Sequence, residues 1–332
     1  MQRVLVTGGA GYIGSELVRR LLADGHQVRV VDNLSFGGEA ILELLDHHRF
    51  EFIKADVRDD NAMRDAVRDI TAVAHLAAIV GDPACAKDPS TARAINVDAT
   101  RSLYEQCERE GVPCFVFAST CSNYGKMTDP DSLVDEESEL RPVSVYAETK
   151  VGVEQFLLSQ RRSNRCVPTC LRFATVYGNS PRMRFDLTVN EFTKDLAMGR
   201  ELVVFGEQFW RPYCHVRDLS RAVALVIATA PEEVAFNVFN VGDTTENYQK
   251  AMLVELLRQE IPEAKVRFVA KDEDPRDYRV SFQKIHDKLG FRITRRVIDG
   301  IREINHVVSQ GFLTDPESPK YYNVTPETSR AA

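Results

Sequence analysis

Tyr146 and Lys150 stand four positions apart in a run of helical pattern, so their side chains share one helix face. A free phenol titrates at about 10, and an ammonium held beside it draws that value towards neutrality, leaving an oxygen able to take a proton from an alcohol. The spacing alone is a frequent accident of helices, and a second group gives it weight. Ala118-Ser119-Thr120-Cys121-Ser122-Asn123-Tyr124-Gly125 follows the apolar run Phe115-Val116-Phe117 and so falls at the carboxyl edge of a sheet, where ligands bind. There the hydroxyl of Thr120 can hydrogen-bond the same substrate oxygen that Tyr146 deprotonates. Tyr146, Lys150 and Thr120 are the expected catalytic set.

A second constellation lies near the amino end. Val4-Leu5-Val6-Thr7-Gly8-Gly9-Ala10-Gly11-Tyr12-Ile13-Gly14 sets Gly8, Gly11 and Gly14 between an apolar strand and a helix expected over 15–23. Glycines permit a tight turn and close backbone approach, and the amides opening the helix face a diphosphate. Asp32 ends the second apolar strand, where a carboxylate binds the adenosine ribose hydroxyls. A 2′-phosphate would meet like charge there, and no arginine follows within 33–37, so NAD is expected rather than NADP.

These residues need a scaffold, and the hydrophobic pattern supplies one. Short β-branched runs at 4–6, 28–31, 52–53, 73–76 and 115–117 alternate with helical patterns at 15–23, 61–68, 92–110 and 146–160. That alternation predicts α/β architecture, a Rossmann-type doubly wound parallel sheet with crossover helices. Beyond about residue 171 the rhythm loosens into short strands (203–205, 236–241) and helices (219–228, 251–260, 297–308) between turns, which predicts a smaller α/β substrate-binding lobe. No Ser/Gly/Pro-rich linker separates the halves, so intertwined lobes around a cleft are expected. The cofactor domain is expected over 1–175, with about 212–242 returning to it. The substrate lobe is expected over 176–211 and 243–315, with a loose tail over 316–332.

Composition narrows the function further. A chain of 332 residues with 44% hydrophobic content buries a large core. Its net charge of -7 lacks the basic excess of a phosphate-backbone binder, so no nucleic acid is expected. Seven cysteines without a CxxC pair suggest reduced thiols rather than a disulfide framework, and no metal site. An apolar strand starting almost at Met1 and the lack of a long apolar run predict a cytoplasmic protein without a membrane span.

Taken together, these motifs resemble the extended short-chain dehydrogenase/reductases, the nucleotide-sugar epimerase and dehydratase family that includes UDP-glucose 4-epimerase. The likeness runs through Gly8, Gly11 and Gly14, Asp32-Asn33, Asp56-Val57, His75-Leu76-Ala77-Ala78, Asn96-Val97, the Thr120 loop, Tyr146 and Lys150, 172–178 and 211–218. It implies that Asp56 and Val57 face adenine, that Leu76, Ala77 and Ala78 line the cofactor, and that Lys150 also holds the nicotinamide ribose. Tyr12, Ile13, Asn33 and Asn96 join that cofactor set. Arg211 is implied to clamp the substrate diphosphate, a task suited to a guanidinium fork. A UDP-hexose substrate and a homodimer through 92–110 and 146–160 are likewise implied. His75, inside an apolar strand, reads as a packed core histidine.

In this family hydride leaves C4 of the sugar while the tyrosine takes the C4 hydroxyl proton, and the fate of the 4-keto sugar defines each enzyme. Family 4,6-dehydratases carry Asp-Glu directly after the catalytic threonine, whereas Cys121 and Ser122 stand here. Neither serves as acid or base for losing water at neutral pH, unless Asp82 or Glu148 stands in. A 4-epimerase needs no further acid or base, so it is the favoured reading. Dehydratase, 4-ketoreductase and a non-catalytic dinucleotide-binding sensor are the alternatives. Thr120, Cys121 and Ser122 are expected to border the substrate, Thr175 replaces a common family asparagine at a substrate position, and the sugar-selecting contacts are expected around 179–190, including Asn190, and 203–211. The roles of Asp82 and Cys85, in the turn Gly81-Asp82-Pro83-Ala84-Cys85, stay open, and Cys121 reads as a packing thiol.

Overall fold

The computed structural model describes residues 1–127, 129, 132–161, 165–271, 274 and 276–324. Its layering follows from alternation along β1 (Arg3–Thr7): Val4 and Val6 enter the apolar layer on one face, Leu5 the layer on the other. A strand buried on both faces belongs in a parallel sheet covered by helices.

The chain continues through α1 (Tyr12–Ala23), β2 (Gln27–Asp32), β3 (Phe50–Lys54), α2 (Asp60–Ala66) and β4 (Ala72–His75). Next come α3 (Asp82–Lys87), α4 (Pro89–Arg93), α5 (Ala99–Glu110), β5 (Cys114–Thr120), α6 (Val145–Ser159) and β6 (Val167–Phe173). The single helix expected over 92–110 is therefore interrupted. A wide π-type turn over Ala94–Asp98 separates α4 from α5 and lets the Asn96 amide satisfy both backbone groups of Ile79, at 2.8 and 2.9 Å.

The smaller lobe adds β7 (Thr175–Tyr177), α7 (Thr188–Ala197), β8 (Leu202–Phe205) and β9 (Trp210–His215). The remaining elements are α8 (Val216–Ala228), α9 (Pro231–Val234), β10 (Val238–Val241), β11 (Asn247–Gln249), α10 (Lys250–Glu260), β12 (Val266–Val269), α11 (Gln283–Leu289) and α12 (Val297–Ser309). The main sheet has seven parallel strands in the order β10-β6-β5-β4-β1-β2-β3. Strand order reverses between β1 and β4, which opens a crevice at their carboxyl ends. α8 packs on α1 and β10 lies beside β6, so this stretch of the second half builds onto the first. The smaller lobe has its own core of Tyr177, Phe192, Leu202, Val204 and Leu253.

The tail expected to be loose is anchored over its first part. Lys194 Nζ bonds Glu317 at 3.0 Å and the Tyr322 hydroxyl at 2.9 Å, and the Phe185 amide donates to the Tyr321 carbonyl at 2.8 Å. Tyr322 packs with Met183, Phe185, Ile304 and Val308, so two aromatic residues tie down a segment whose composition is otherwise polar. Residues 325–332 lie outside the described residues. All seven cysteines are buried and free. Among the described residues no helix is long and apolar enough to cross a membrane.

Candidate active site

The glycine turn is built by close approach. Gly8 sits at φ +73° where a Cβ would come within 2.8 Å of the Ala77 backbone nitrogen, and a Cβ on Gly14 would lie 2.1 Å from the Gly8 carbonyl oxygen. Only glycine lets β1, the exit of β4 and α1 meet this tightly. Gly11 opens α1 without a side-chain cap, which leaves the helix amides to an incoming anion. Asp32 closes the other side of the turn, its carboxylate accepting from the amides of Ala10 (3.0 Å) and Leu34 (2.8 Å). Burial raises its pKa above the ordinary carboxylate value, while those two amides oppose the rise.

The rest of the expected cofactor set is placed unevenly around this cleft. Leu76, Ala77 and Ala78 follow β4, with Leu76 and Ala77 against Gly8 and Ala77 donating to Thr7 Oγ1 at 3.3 Å. Asn33, exposed, caps the amide of Ser35. Asp56 is gripped by Arg58 through Nε and Nη2, at 2.9 and 2.8 Å, and that hydrogen bonding holds its carboxyl down at about 2. Val57 packs into the core below α2 and Ile13 against the opposite layer. The Tyr12 side chain leaves the cleft: its hydroxyl donates to the Gly178 carbonyl at 2.5 Å and accepts from Asn190. Asn96 is spent on Ile79, as described above. His75 bridges Thr7 (2.7 Å) and Thr100 (2.8 Å), and burial drops its pKa to about 3, so it is a neutral core residue.

Tyr146, Lys150 and Thr120 converge. Ser144 caps α6 by accepting from the Ala147 amide, which starts the helix so that Tyr146 comes up against the end of β5, where Thr120 favours its ionised form. One turn on, the Lys150 ammonium donates to the Ala118 carbonyl at 2.8 Å and lies 4.7 Å from the Phe117 ring centroid and 5.9 Å from that of Tyr146. Burial lowers the Lys150 pKa to about 8. Burial pushes the Tyr146 phenol above its ordinary value, assisted by Cys85 and Asp82 and opposed by Arg184 and Thr120.

Sequence reasoning missed the contacts that hold this set in place, because they join segments far apart in the chain. Glu154, one turn beyond Lys150, forms a buried ion pair with Arg172 (2.7 Å) and accepts from Ser119 and from Asn123 (2.9 Å). It thereby fastens α6 to the loop carrying Thr120. Asp82 accepts from Ser144 at 2.6 Å and pairs with Arg276 of the smaller lobe at 2.9 Å. Cys85 donates to the Ile79 carbonyl at 3.4 Å, and burial raises its thiol to about 11, which leaves it unreactive at neutral pH.

The expected substrate contacts separate into two groups. Arg211 lies over the Tyr278 ring, its guanidinium carbon 5.5 Å from the ring centroid, and is paired with Asp274 at 2.9 Å. Ser122 lies 3.4 Å from the Tyr278 hydroxyl, and Thr175 sits half-buried opposite Tyr213 in the β7–β9 pair. Asn190 is corrected: it is fully buried, accepting from the Gly178 amide (2.9 Å) and donating to the Arg184 carbonyl (2.8 Å), so it braces a backbone turn instead of facing substrate. Cys121 is likewise buried, its Sγ on the Arg172 carbonyl at 3.3 Å, and burial raises its thiol well above the usual value.

The profile described as the NAD dependent epimerase/dehydratase family matches residues 4–242. A dTDP-glucose 4,6-dehydratase from Streptomyces niveus is 30% identical over 313 residues, spanning 91% of this chain and 91% of that protein. A UDP-N-acetyl-alpha-D-glucosaminuronate decarboxylase from Bacillus cytotoxicus is 32% identical, spanning 74% of this chain and 76% of that protein. Among solved structures, UDP-glucose 4-epimerase from Thermus thermophilus, in complex with NAD, gives a TM-score of 0.80 at 28% identity, spanning 94% of this chain and 100% of that one. Their names share a nucleotide-linked sugar and differ in what is done to it.

Proposed function

We infer that this chain, which belongs to the NAD-dependent epimerase/dehydratase family, is a nucleotide-sugar 4-epimerase that works on a UDP-hexose-like substrate through a transient 4-keto sugar. The cleft suits its cofactor, NAD: the glycine cradle would be filled by a single Cβ at Gly8 or Gly14, the first turn of α1 lacks a side-chain cap, and Asp32 stands where ribose hydroxyls would reach it. Bound there, NAD would supply the hydride acceptor for the sugar C4 and the donor for its return. Tyr146 Oη would receive the C4 hydroxyl proton while the Thr120 hydroxyl holds the same oxygen, and the Lys150 ammonium would favour the phenolate that Tyr146 needs. On return of hydride to the opposite face, Tyr146 gives the proton back.

The observation that carries this reading is a complete Tyr146, Lys150 and Thr120 set whose neighbouring carboxylates are committed elsewhere. Asp82 is held by Ser144 and Arg276, Glu148 pairs with Arg93 at the surface, and Glu154 is locked to Arg172. Cys121 and Ser122 supply no acid and base for loss of water. Retention of all three catalytic groups also argues against a non-catalytic sensor. A homodimer packed through α5 and α6 belongs to the same reading, and light scattering on the purified protein checks it.

Incubation with UDP-, dTDP-, GDP- and CDP-sugars in D₂O, followed by proton NMR, tests the reaction. Inversion at C4 without deuterium from solvent is expected. A 4-keto-6-deoxy product labelled from solvent would establish a dehydratase instead, and turnover confined to 4-keto sugars supplied with NADH a ketoreductase. Tyr146→Phe should cost about 10²- to 10⁴-fold in rate while NAD still binds. A variant that keeps full turnover sinks the assignment of the base.

A further inference from the structure

Arg182 is only 6% exposed, yet among the described residues its Nε and Nη2 meet no hydrogen-bond partner. A buried guanidinium with unpaired donors is costly, and a native fold retains one where something else completes it. Arg184, two residues on, is already satisfied by Asp186 at 2.9 and 2.8 Å. Arg182 therefore stands apart from its neighbour.

Its position says what kind of group would complete it. The Arg182 guanidinium carbon lies 4.2 Å from the ring centroid of Phe36, in the turn that follows Asp32. The segment carrying it is tied to the first turn of α1: Ser180 donates to the Tyr12 carbonyl at 2.7 Å, and Tyr12 donates to the Gly178 carbonyl. Arg182 thus sits between the loop after β2 and the uncapped start of α1. In a doubly wound sheet the adenosine diphosphate half of a dinucleotide runs between those two features. Burial and the nearby Arg184 lower the guanidinium pKa to about 10, so it stays cationic at neutral pH and favours an anionic partner. Arg211, on β9, is held instead by Asp274.

We propose that Arg182 donates to the diphosphate of bound NAD, an arm from the segment entering the smaller lobe that closes over the glycine turn and makes cofactor retention depend on that segment. The proposal rests on NAD as the cofactor. Charge-assisted bonds of this kind correspond to roughly ten- to hundredfold in affinity.

Calorimetric titration of cofactor-stripped wild type, Arg182→Met and Arg182→Lys with NAD, ADP-ribose, ADP and UDP tests it, with adenosine followed by NMR. Arg182→Met should weaken NAD, ADP-ribose and ADP roughly ten- to hundredfold, spare adenosine and UDP, and emerge from purification with less bound NAD; Arg182→Lys should fall between. Phe36→Leu, altering an exposed ring that folding does not need, should cost a few-fold for ADP and keeps the test open if Arg182→Met fails to fold. Unchanged NAD and ADP affinity in the variants overturns the proposal, as does a loss confined to UDP. A wild-type protein that binds no NAD would overturn the cofactor reading first, and this one with it.

Discussion

Lys150 shows how the site bears a buried charge. The residue is 4% exposed, its ammonium donates to a carbonyl, and burial brings its pKa from 10.5 to about 8. Between those two values the unfolded chain holds more protons than the folded one, so stability rises with pH across the window. Relative to Lys150→Met, NAD-free wild type should gain up to about 3 kcal/mol of unfolding free energy from pH 8 to 10.5, read from urea transitions at each pH. A flat difference would mean that Lys150 titrates as it does in water. At this scale the chemistry was legible wherever it was local. Tyr146, Lys150 and the glycine run announce themselves by spacing and flanking pattern. Arg184 and Asp82, which bear on the Tyr146 phenol, stand 38 and 64 positions from it, and no periodicity connects them.

The elements are held to one another by polar groups as much as by packing. Glu154 joins α6 to β6 through Arg172, to β5 through Ser119 and to the turn after β5 through Asn123, with both charges of the ion pair at or below 5% exposure. Glu154→Gln keeps the shape but strands the Arg172 guanidinium, and should cost about 3–5 kcal/mol in unfolding free energy. Replacing both partners, Glu154→Leu with Arg172→Met, should recover most of that loss, because no unpaired charge remains. Equal losses in the single and double variants would show that the pair is not the source. From sequence, α6 was visible as a helix, but its attachment was not, since an ion pair between residues 154 and 172 leaves no periodic trace. The π-type turn at Ala94–Asp98 escaped for a related reason: one wide turn shifts the helical phase without a glycine or proline to mark it. β10 starts at Val238 rather than near 236 because Phe236 adopts φ +52°, a conformation that does not continue a strand.

Across the whole molecule, the far end of the described chain reaches back to the beginning. Tyr321 accepts from the Phe185 amide, the Asn323 amide donates to Asp186 at 3.2 Å, Asp186 pairs with Arg184, and residues 178–180 grip Tyr12 at the start of α1. Composition pointed to a loose tail because charged and polar residues dominate it; burial of Tyr322 and packing of Tyr321 beside it decided otherwise. The doubly wound sheet itself was readable, since alternating strands and helices express it residue by residue, whereas this closure depends on contacts over more than a hundred positions. Truncation after residue 315 removes the Tyr322 ring from its pocket of Met183, Phe185, Ile304 and Val308 and frees Lys194 from Glu317. It should cost about 3 kcal/mol or more of stability by the loss of the aromatic side chain alone, and Tyr322→Ala should reproduce most of it. Because the same cluster backs the 178–186 segment, the truncated chain should also bind NAD several-fold more weakly, although none of the described residues it lacks is among those that form the glycine turn. Thermal unfolding and NAD titration on one preparation separate the two effects: a lowered midpoint with unchanged NAD affinity would confine the tail to packing, and a joint loss would make the carboxyl end part of how the cofactor cleft is kept closed.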